Sequence, residues 1–370
     1  MKIAWVVPGG VDRSGTRNVI PCLLWLVERL AAGGDELHIF ALGQEPRPGR
    51  WPLLGAQVHN AGARPRRLRA LAGLAAEHRL GRFDIVHGFW AAGPGVASAA
   101  FGRWAGVPAV LTLPGGDLTA LEDIGYGARL SLRGRAWTRL ALSGAARVVV
   151  QSDWMVECAA GLGVSAMRIP FGVAIDRWPV SRPRRRNPGR PLRLVHVANL
   201  NRVKDQETLL LAARALHERG VSFHLDIIGL DTLAGAVQRR CSVLGLDDRV
   251  AFRGFVPHTE LRPWIEAADV LVVSSRHEAG PLVMLEAAVA GVPTVGTAVG
   301  HIADWAPEAA VAVPIGDSSA LASAIDALAS NEEERLRLAR AAQALAIAED
   351  ADHTAERTRG LYAELLSARG

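Results

Sequence analysis

The feature that most constrains the fold of this 370-residue chain is a repeated alternation of short β-branched runs with longer amphipathic stretches. Such alternation is typical of parallel sheets covered by helices on both faces. In the first half, the predicted strands are residues 2–7, 36–42, 83–89, 108–113, 146–152 and 167–173, with helical patterns at 19–32 and 66–79. In the second half, they are residues 192–199, 223–229, 249–255, 268–275, 293–297 and 309–315. The pattern predicts an α/β protein.

A stretch rich in proline and arginine, residues 180–193, interrupts the alternation and has no periodicity of its own. We interpret it as a linker. The predicted organisation is an N-terminal Rossmann-like domain at 1–180, a C-terminal Rossmann-like domain at 181–350, and a helix at 351–370 that packs back on the first domain. Two doubly wound domains joined in this way create a cleft, and ligands of such sheets bind at the carboxyl ends of the strands.

Composition excludes several classes of protein. Hydrophobic residues make up 49% and charged residues 21% of the chain, which is typical of a globular protein and excludes a disordered or fibrous one. The three cysteines, Cys22, Cys158 and Cys241, are widely spaced and suggest neither a disulfide framework nor a zinc site. The N-terminus lacks the pattern of a signal peptide, and no apolar run reaches the ~18 residues of a spanning helix. We therefore expect a cytoplasmic protein.

Two carboxylates, Glu278 and Glu286, stand eight residues apart in the apolar stretch SSRHEAGPLVMLEAAVAGVPTVG. Pro281 is suited to the first position of a helix, so the helix is predicted to begin there, after a strand. Its free N–H groups then form a site for a phosphate beside Glu278. Glu286 lies more than one turn into the helix, where its carboxylate can accept two hydroxyls of a ribose. The alternative is structural: Glu286 pairs with an arginine, and Glu278 is a carboxylate favoured at a helix entry.

A second candidate is the turn from Asn199 to Lys204, between a predicted strand and a predicted helix. Arg202 and Lys204 can project from it toward the same strand ends as Glu278 and form a clamp for a diphosphate. Lys204 is one of only two lysines in a chain that otherwise uses arginine. The alternative is a solvated loop with basic side chains.

Other motifs carry weaker indications. Gly9, Gly10, Ser14 and Gly15 follow the first strand and could border the cleft, but they do not form a dinucleotide fingerprint. No metal-binding histidine pair, no nucleophile elbow and no P-loop is present in the sequence. The D-x-D of Asp350 and Asp352 is interpreted as a solvated helix face.

A basic run precedes the second helical pattern of the first half, with arginines at positions 64, 66, 67 and 69. It fits a basic amphipathic surface for anionic lipid, which would place the protein at the inner face of a membrane. It fits a plain solvated helix as well. No nucleic-acid partner is indicated.

Taken together, these motifs resemble the retaining glycosyltransferases of family 4, which have the GT-B fold of two facing Rossmann-like domains with an interdomain cleft. EAGPLVMLEAAVAGVPTVGTAVG is similar to the E-x7-E motif of that family, with Glu278 and Glu286 as its two glutamates. ANLNRVKDQETLLLAARAL resembles its phosphate-binding turn, and Lys204 falls on the usual lysine. The matching segments span most of residues 145–305.

The resemblance implies a nucleotide-sugar donor, linked to UDP or GDP, with neither cofactor nor metal. It implies that Glu286 holds the ribose, that Glu278 contacts the donor sugar, and that Arg202 and Lys204 neutralise the diphosphate. Further donor-binding positions are Gly15, Asn199, Gly280, Pro281 and Leu282. The implied activity is transfer of a hexose to a glycan or lipid-linked acceptor on the side of the N-terminal domain.

Two departures from the family pattern stand out. Asn199 occupies the place of the usual arginine, and Arg202 is close enough to substitute. Pro114 occupies the place of a histidine that approaches the donor sugar, so His87, Gly115, Gly116 and Asp117 are the candidate contacts there; a packed histidine is the alternative for His87. The rival hypothesis is a catalytically silent nucleotide-binding or partner subunit, while a nicotinamide-dependent oxidoreductase lacks its glycine fingerprint.

Overall fold

The computed structural model describes residues 1–368 of the chain. They form two compact units, one made of Met1–Gly172 with the C-terminal segment from Ala351, and one made of Val173–Asp350. The domain limits of 180 and 350 remain sequence predictions; the compact units divide after Gly172 and before Ala351.

An eight-stranded sheet forms the centre of the first unit. Its strands are β1 (Lys2–Val7), β2 (Glu36–Ala41), β3 (Gly49–Leu53), β4 (Ala56–Asn60), β5 (Ile85–Phe89), β6 (Ala109–Thr112), β7 (Arg147–Val150) and β8 (Met167–Arg168). Their spatial order is β3-β4-β2-β1-β5-β6-β7-β8, and every pairing is parallel except the β3–β4 hairpin. The order reverses between β1 and β5.

Helices cover both faces of this sheet. They are α1 (Pro21–Ala32), α2 (Arg66–Leu80), α3 (Val96–Ala105), α4 (Leu132–Ser143) and α5 (Asp153–Ala160). One core, which includes Trp5 and Leu30, joins the sheet to α1. A separate core, which includes Phe40, Leu74 and Phe101, joins the opposite face to α2 and α3.

The second unit is built on a six-stranded, wholly parallel sheet. Its strands are β9 (Leu192–Val197), β10 (Phe223–Ile228), β11 (Val250–Gly254), β12 (Val270–Val273), β13 (Thr294–Thr297) and β14 (Val311–Val313), in the spatial order β11-β10-β9-β12-β13-β14. Numbered within the unit, the order is 3-2-1-4-5-6, the doubly wound order that binds ligands where the winding reverses. That point lies between β9 and β12.

The helices of the second unit are α6 (Gln206–Glu218), α7 (Ala236–Val243), α8 (His258–Glu266), α9 (Leu282–Val289), α10 (His301–Trp305), α11 (Ser318–Ser330) and α12 (Glu332–Ala348). Side-chain oxygens cap several of them; for example, the Asp205 carboxylate accepts from the N–H of Thr208 at the start of α6.

The C-terminal helix α13 (Ala351–Ser367) belongs to the first unit. Leu361 and Tyr362 are buried in the core that contains α1. Thr354 Oγ1 donates to the carbonyl of Pro170 (2.8 Å), and Arg359 Nε donates to Asp35 Oδ2 (2.8 Å). Both apolar burial and charged hydrogen bonds therefore hold α13 to the first unit.

Comparison with the predicted elements gives one correction and one omission. All six strands predicted in the second half are present, within a few residues of their predicted ends. The predicted strand at 167–173 is wrong in length, since only Met167 and Arg168 pair with β7. The β3–β4 hairpin was not predicted; in it, Pro52 lies on β3, an edge strand, where proline is tolerated. No helix within residues 1–368 combines the length and apolar character needed to span a bilayer.

Candidate active site

Two loops meet at the reversal point of the second sheet, one after β9 and one after β12. Residues 194 and 195 of β9 pair with residues 270 and 271 of β12, so the two loops leave neighbouring strand ends. Ser274 Oγ donates to the carbonyl of Lys204 (2.8 Å), and the N–H of Arg276 donates to the carbonyl of Val203 (2.8 Å). The loops are thus fastened to each other.

Lys204 and Glu278 form an ion pair across these loops. Lys204 Nζ lies 2.5 Å from Glu278 Oε1, and Ser275 Oγ donates to the same oxygen (2.6 Å). The two side chains keep exposed fractions of 25% and 12%. A pair of opposite charges that still reaches solvent can exchange its partner for an incoming anion or hydroxyl.

The start of α9 presents N–H groups beside this pair. The helix begins at Leu282, one residue later than predicted, because Pro281 has extended backbone angles and forms the N-cap. The N–H groups of Gly280, Leu282 and Val283 have no hydrogen-bond acceptor within residues 1–368. Unpaired N–H groups at a helix start favour an anion.

Gly300 lets another part of the chain approach this loop. Its φ is +51°, and a Cβ there would lie 3.0 Å from the carbonyl oxygen of Glu278. A larger side chain would therefore push on the loop that carries Glu278.

Glu286 is buried on α9, with 3% of its side chain exposed. Its partner is His258, whose Nε2 lies 2.6 Å from Glu286 Oε1. The structural alternative predicted an arginine as the partner of Glu286. That prediction is wrong, because the partner is a histidine at the start of α8. Sequence reasoning missed His258; the need of a buried carboxylate for a partner was the available signal, but it does not say where the partner is.

Arg202 and Asn199 behave differently from Lys204. Arg202 lies in a short 3-10 turn, is exposed, and makes no hydrogen bond or ion pair with any residue in 1–368. Asn199 Oδ1 accepts from the N–H of Leu230 (3.1 Å), which ties the turn to the end of β10. Arg202 is therefore a cation without a protein partner on the same turn as Lys204.

In the first unit, His87 lies on β5 and is buried. Its Nδ1 lies 2.6 Å from the hydroxyl of Tyr362, and its Nε2 lies 2.7 Å from Thr112 Oγ1. Burial lowers the pKa of the imidazole to about 3, so the ring is neutral near pH 7. Because both nitrogens have partners in the core, the geometry favours the packed-histidine alternative over a donor contact.

Asp117 follows β6 in a short turn and is buried as well. Its Oδ1 accepts from the N–H of Ala91 (2.8 Å), whereas Oδ2 is buried without a hydrogen bond. Burial raises the pKa of this carboxyl to about 6, against an opposing hydrogen bond from Ala91. Asp117 is therefore a poorly compensated carboxyl inside the first unit.

The glycines of the first unit lie at close approaches and turns. A Cβ on Gly115 would lie 2.9 Å from Trp90 Nε1, and one on Gly116 would lie 2.7 Å from the ring of Tyr126. Gly15 has φ +65° in the turn after Asp12 and donates to its carbonyl (3.0 Å). Each of the three has a local structural reason to be glycine.

One cluster in residues 1–368 has the proximity of a metal site, formed by His38, His59 and Glu77. His38 Nδ1 lies 3.0 Å from His59 Nε2, and Arg50 forms an ion pair with Glu77 (3.0 Å). Burial and the charge of Arg50 lower the pKa of His59 to about 4. Because Arg50 already holds the carboxylate and makes the surroundings positive, the cluster is explained as a buried polar network.

Comparison with known proteins shows the family to which the chain belongs. Residues 179–345 match the family model of glycosyl transferases group 1, and residues 19–172 match that of the glycosyl transferase 4-like domain. Over 295 residues the chain is 31% identical to 2-deoxystreptamine N-acetyl-D-glucosaminyltransferase of Streptomyces fradiae, covering 71% of this chain and 67% of that protein. The chain belongs to the glycosyl transferases group 1 family.

A further relative of this glycosyltransferase is D-inositol 3-phosphate glycosyltransferase of Arthrobacter sp. (strain FB24), 29% identical over 80% of this chain and 76% of the relative. Among solved structures, sucrose-phosphate synthase from Thermosynechococcus elongatus is similar with a TM-score of 0.82 at 21% identity, with full coverage of both chains. Anabaena Alr3699/HepE, solved in complex with UDP-glucose, is similar with a TM-score of 0.74 at 18% identity, again over both whole chains. The predicted GT-B fold class is confirmed.

Proposed function

We propose that this glycosyltransferase moves a hexose from a nucleoside-diphosphate sugar to a glycan or lipid-linked acceptor, with retention of the anomeric configuration. The observation that carries the proposal is the Lys204–Glu278 ion pair beside the unpaired N–H groups at the start of α9. A cation and helix N–H groups suit a diphosphate, and a partly exposed carboxylate suits sugar hydroxyls.

The charged candidates of the second unit and the start of α9 have separate roles in this proposal. Lys204 and Arg202 bind the diphosphate together with the N–H groups of Gly280 and Leu282; Pro281, which has no N–H, shapes the turn. Glu278 accepts hydrogen bonds from the donor sugar once the phosphate has taken over Lys204. Glu286 accepts from the ribose.

The reaction needs no nucleophile from the protein. The bond between the anomeric carbon and the diphosphate oxygen breaks, a bond from that carbon to the acceptor oxygen forms on the same face, and the acceptor proton passes to an oxygen of the departing phosphate. Charge accumulates on the diphosphate, where Lys204 and the N–H groups of α9 are already oriented. These groups compensate the charge in a mechanism that requires no divalent ion, and full turnover in excess EDTA is the expected result.

The donor is expected to carry uridine or guanosine. Thermal unfolding of the protein with UDP, GDP, ADP and their sugars tests this directly, because a ligand at about 100 times its Kd adds ~2.7 kcal/mol to the free energy of unfolding. A raised Tm with one nucleotide, followed by transfer or hydrolysis of its sugar, supports the proposal. Binding without either reaction under any condition supports a catalytically silent subunit.

We also propose that the first unit contacts an anionic membrane surface. A depression of about 920 Å³ along α4 and a smaller one of about 350 Å³ at the start of α2 are lined by eight arginines and by no acidic residue among the described ones, the arginines being 64, 66, 67, 129, 133, 135, 139 and 147. Leu68 and Leu132 also line these depressions and are 67% and 81% exposed. Arginines around exposed leucines fit lipid phosphates above an apolar layer.

Vesicle binding tests the membrane proposal. The protein is expected to sediment with phosphatidylglycerol vesicles and not with phosphatidylcholine vesicles at 0.1 M salt. Replacement of Arg133, Arg135 and Arg139 by Ser should weaken binding at least tenfold, since each surface charge contributes about 1 kcal/mol. The same charge loss at Arg182, Arg219 and Arg340 of the second unit is the matched control. If vesicle binding falls equally in the two variants, the attraction depends on net charge alone and the proposed membrane surface is contradicted.

A further inference from the structure

The carboxylate of Glu286 is an unusual group to find inside α9. The neighbouring residues Met284, Leu285, Ala287 and Ala288 are all buried and apolar. An ionised carboxylate in such surroundings is costly unless hydrogen bonds replace its water. The hydrogen bond from His258 is thus central to what Glu286 can do.

His258 is held in a fixed position. It is the first residue of α8, after the N-cap Pro257. Its ring lies against the ring of Trp178, with centroids 5.2 Å apart and planes 32° apart. Trp178 Nε1 in turn donates to the main-chain carbonyl of Glu286 (3.1 Å). Trp178 therefore contacts both the His258 ring and the main chain of Glu286, while His258 contacts the Glu286 carboxylate. These three contacts fix His258 relative to Glu286.

The two carboxylate oxygens of Glu286 differ in their hydrogen bonds. An ionised carboxylate only accepts, so His258 Nε2–H donates to Oε1. Oε2 has no hydrogen bond within residues 1–368 and is not among the fully buried unpaired atoms. One oxygen is therefore fixed by the protein, and the other remains available to a ligand.

We infer that His258 is a positioning residue that orients the Glu286 carboxylate so that Oε2 accepts a ribose hydroxyl of the donor. This inference rests on the proposed function, in which Glu286 binds the ribose. A purely structural histidine would stabilise the folded protein without affecting how it distinguishes ribose from deoxyribose.

The experiment uses UDP or GDP, whichever raises the Tm more, and measures by calorimetry the Kd of that nucleotide and of its 2′-deoxy and 3′-deoxy analogues. A hydrogen bond to a charged group is stronger than one between neutral groups, so the wild type should prefer the nucleotide over at least one deoxy analogue by about 10-fold or more. His258→Phe keeps a ring against Trp178 but removes the N–H, and it should reduce this preference at least threefold. His258→Gln restores an N–H donor and should recover part of the preference.

The matched control is His224→Ala, a histidine of the same unit that lies beside Asp226 (3.5 Å) and away from Glu286. It should leave the preference unchanged. If folded His258→Phe keeps the wild-type preference while Glu286→Ala loses it, Glu286 binds ribose without help from His258 and the inference is overturned. If the wild type binds neither UDP nor GDP, the proposed function fails. If it binds one of them without preference over the deoxy analogues, the ribose assignment of Glu286 is overturned and the inference with it. Should His258→Phe fail to fold, His258→Ala takes its place, and a wild-type preference in folded His258→Ala is the overturning result.

Discussion

Candidate polar residues at the strand ends of the two units differ in how far they reach solvent. In the second unit, Lys204 and Glu278 pair with each other and remain partly exposed. In the first unit, His87 lies within β5 and Asp117 follows β6, and both side chains are buried and hydrogen-bonded within the unit. Position at a strand end is therefore an incomplete criterion for a binding residue. The second unit differs from the first in that its charged side chains reach solvent and can replace their protein partner with a ligand.

The largest expected effect comes from Lys204→Ala. Removal of one group that stabilises developing charge typically costs 10²–10³ in rate, so transfer should fall by about two orders of magnitude or more. The substitution also removes the cation that pairs with Glu278, which can weaken donor binding. Initial rates should therefore be measured at saturating donor. A fall of less than tenfold would contradict the role of Lys204 at the diphosphate.

Arg202→Ala should have a smaller effect, about tenfold in transfer rate, because its exposed side chain is screened by solvent. The effect is expected if Arg202 replaces the arginine absent at Asn199. Unchanged kinetics in Arg202→Ala beside a large loss in Lys204→Ala would assign the clamp to lysine alone.

The burial of Asp117 in the first unit can be tested through the pH dependence of stability. Asp117 has a pKa of about 6 in the folded protein, above its ordinary 3.8. The folded state then binds the proton more tightly than the unfolded state, so this contribution to stability is present below about pH 4 and is lost as pH rises through about 6. Asp117→Asn should remove up to about 3 kcal/mol of this pH dependence. Denaturant unfolding at pH 4 and pH 7.5 provides the measurement, and equal pH dependence in both proteins would show that Asp117 is not desolvated.

Pro114→His should have the smallest effect. Proline donates no hydrogen bond, whereas histidine could donate one to a sugar hydroxyl. If the site still fits the missing histidine, transfer from a common hexose donor should rise a few-fold while nucleotide affinity stays constant. Turnover unchanged across a donor panel would show that this departure carries no functional consequence.

Sequence alone predicted the second unit closely for a physical reason. Its strands β10, β12 and β13 are buried on both faces almost throughout, so they appear as continuous apolar runs. The candidate residues Glu278 and Lys204 lie in loops that follow such strands. The partner of Glu286 was not predictable, because His258 is 28 residues away and meets it only after α8 and α9 pack. The burial of Asp117 depends likewise on tertiary contacts, here with Ala91.

The central claim is that a nucleoside diphosphate binds where β9, β12 and α9 meet. A crystal structure of the protein with UDP tests it most directly. The account predicts diphosphate oxygens within about 3 Å of Lys204 Nζ and of the Leu282 N–H, and a ribose hydroxyl at a similar distance from Glu286 Oε2. A diphosphate bound elsewhere, with the Lys204–Glu278 pair intact and Glu286 facing no ribose, would contradict it.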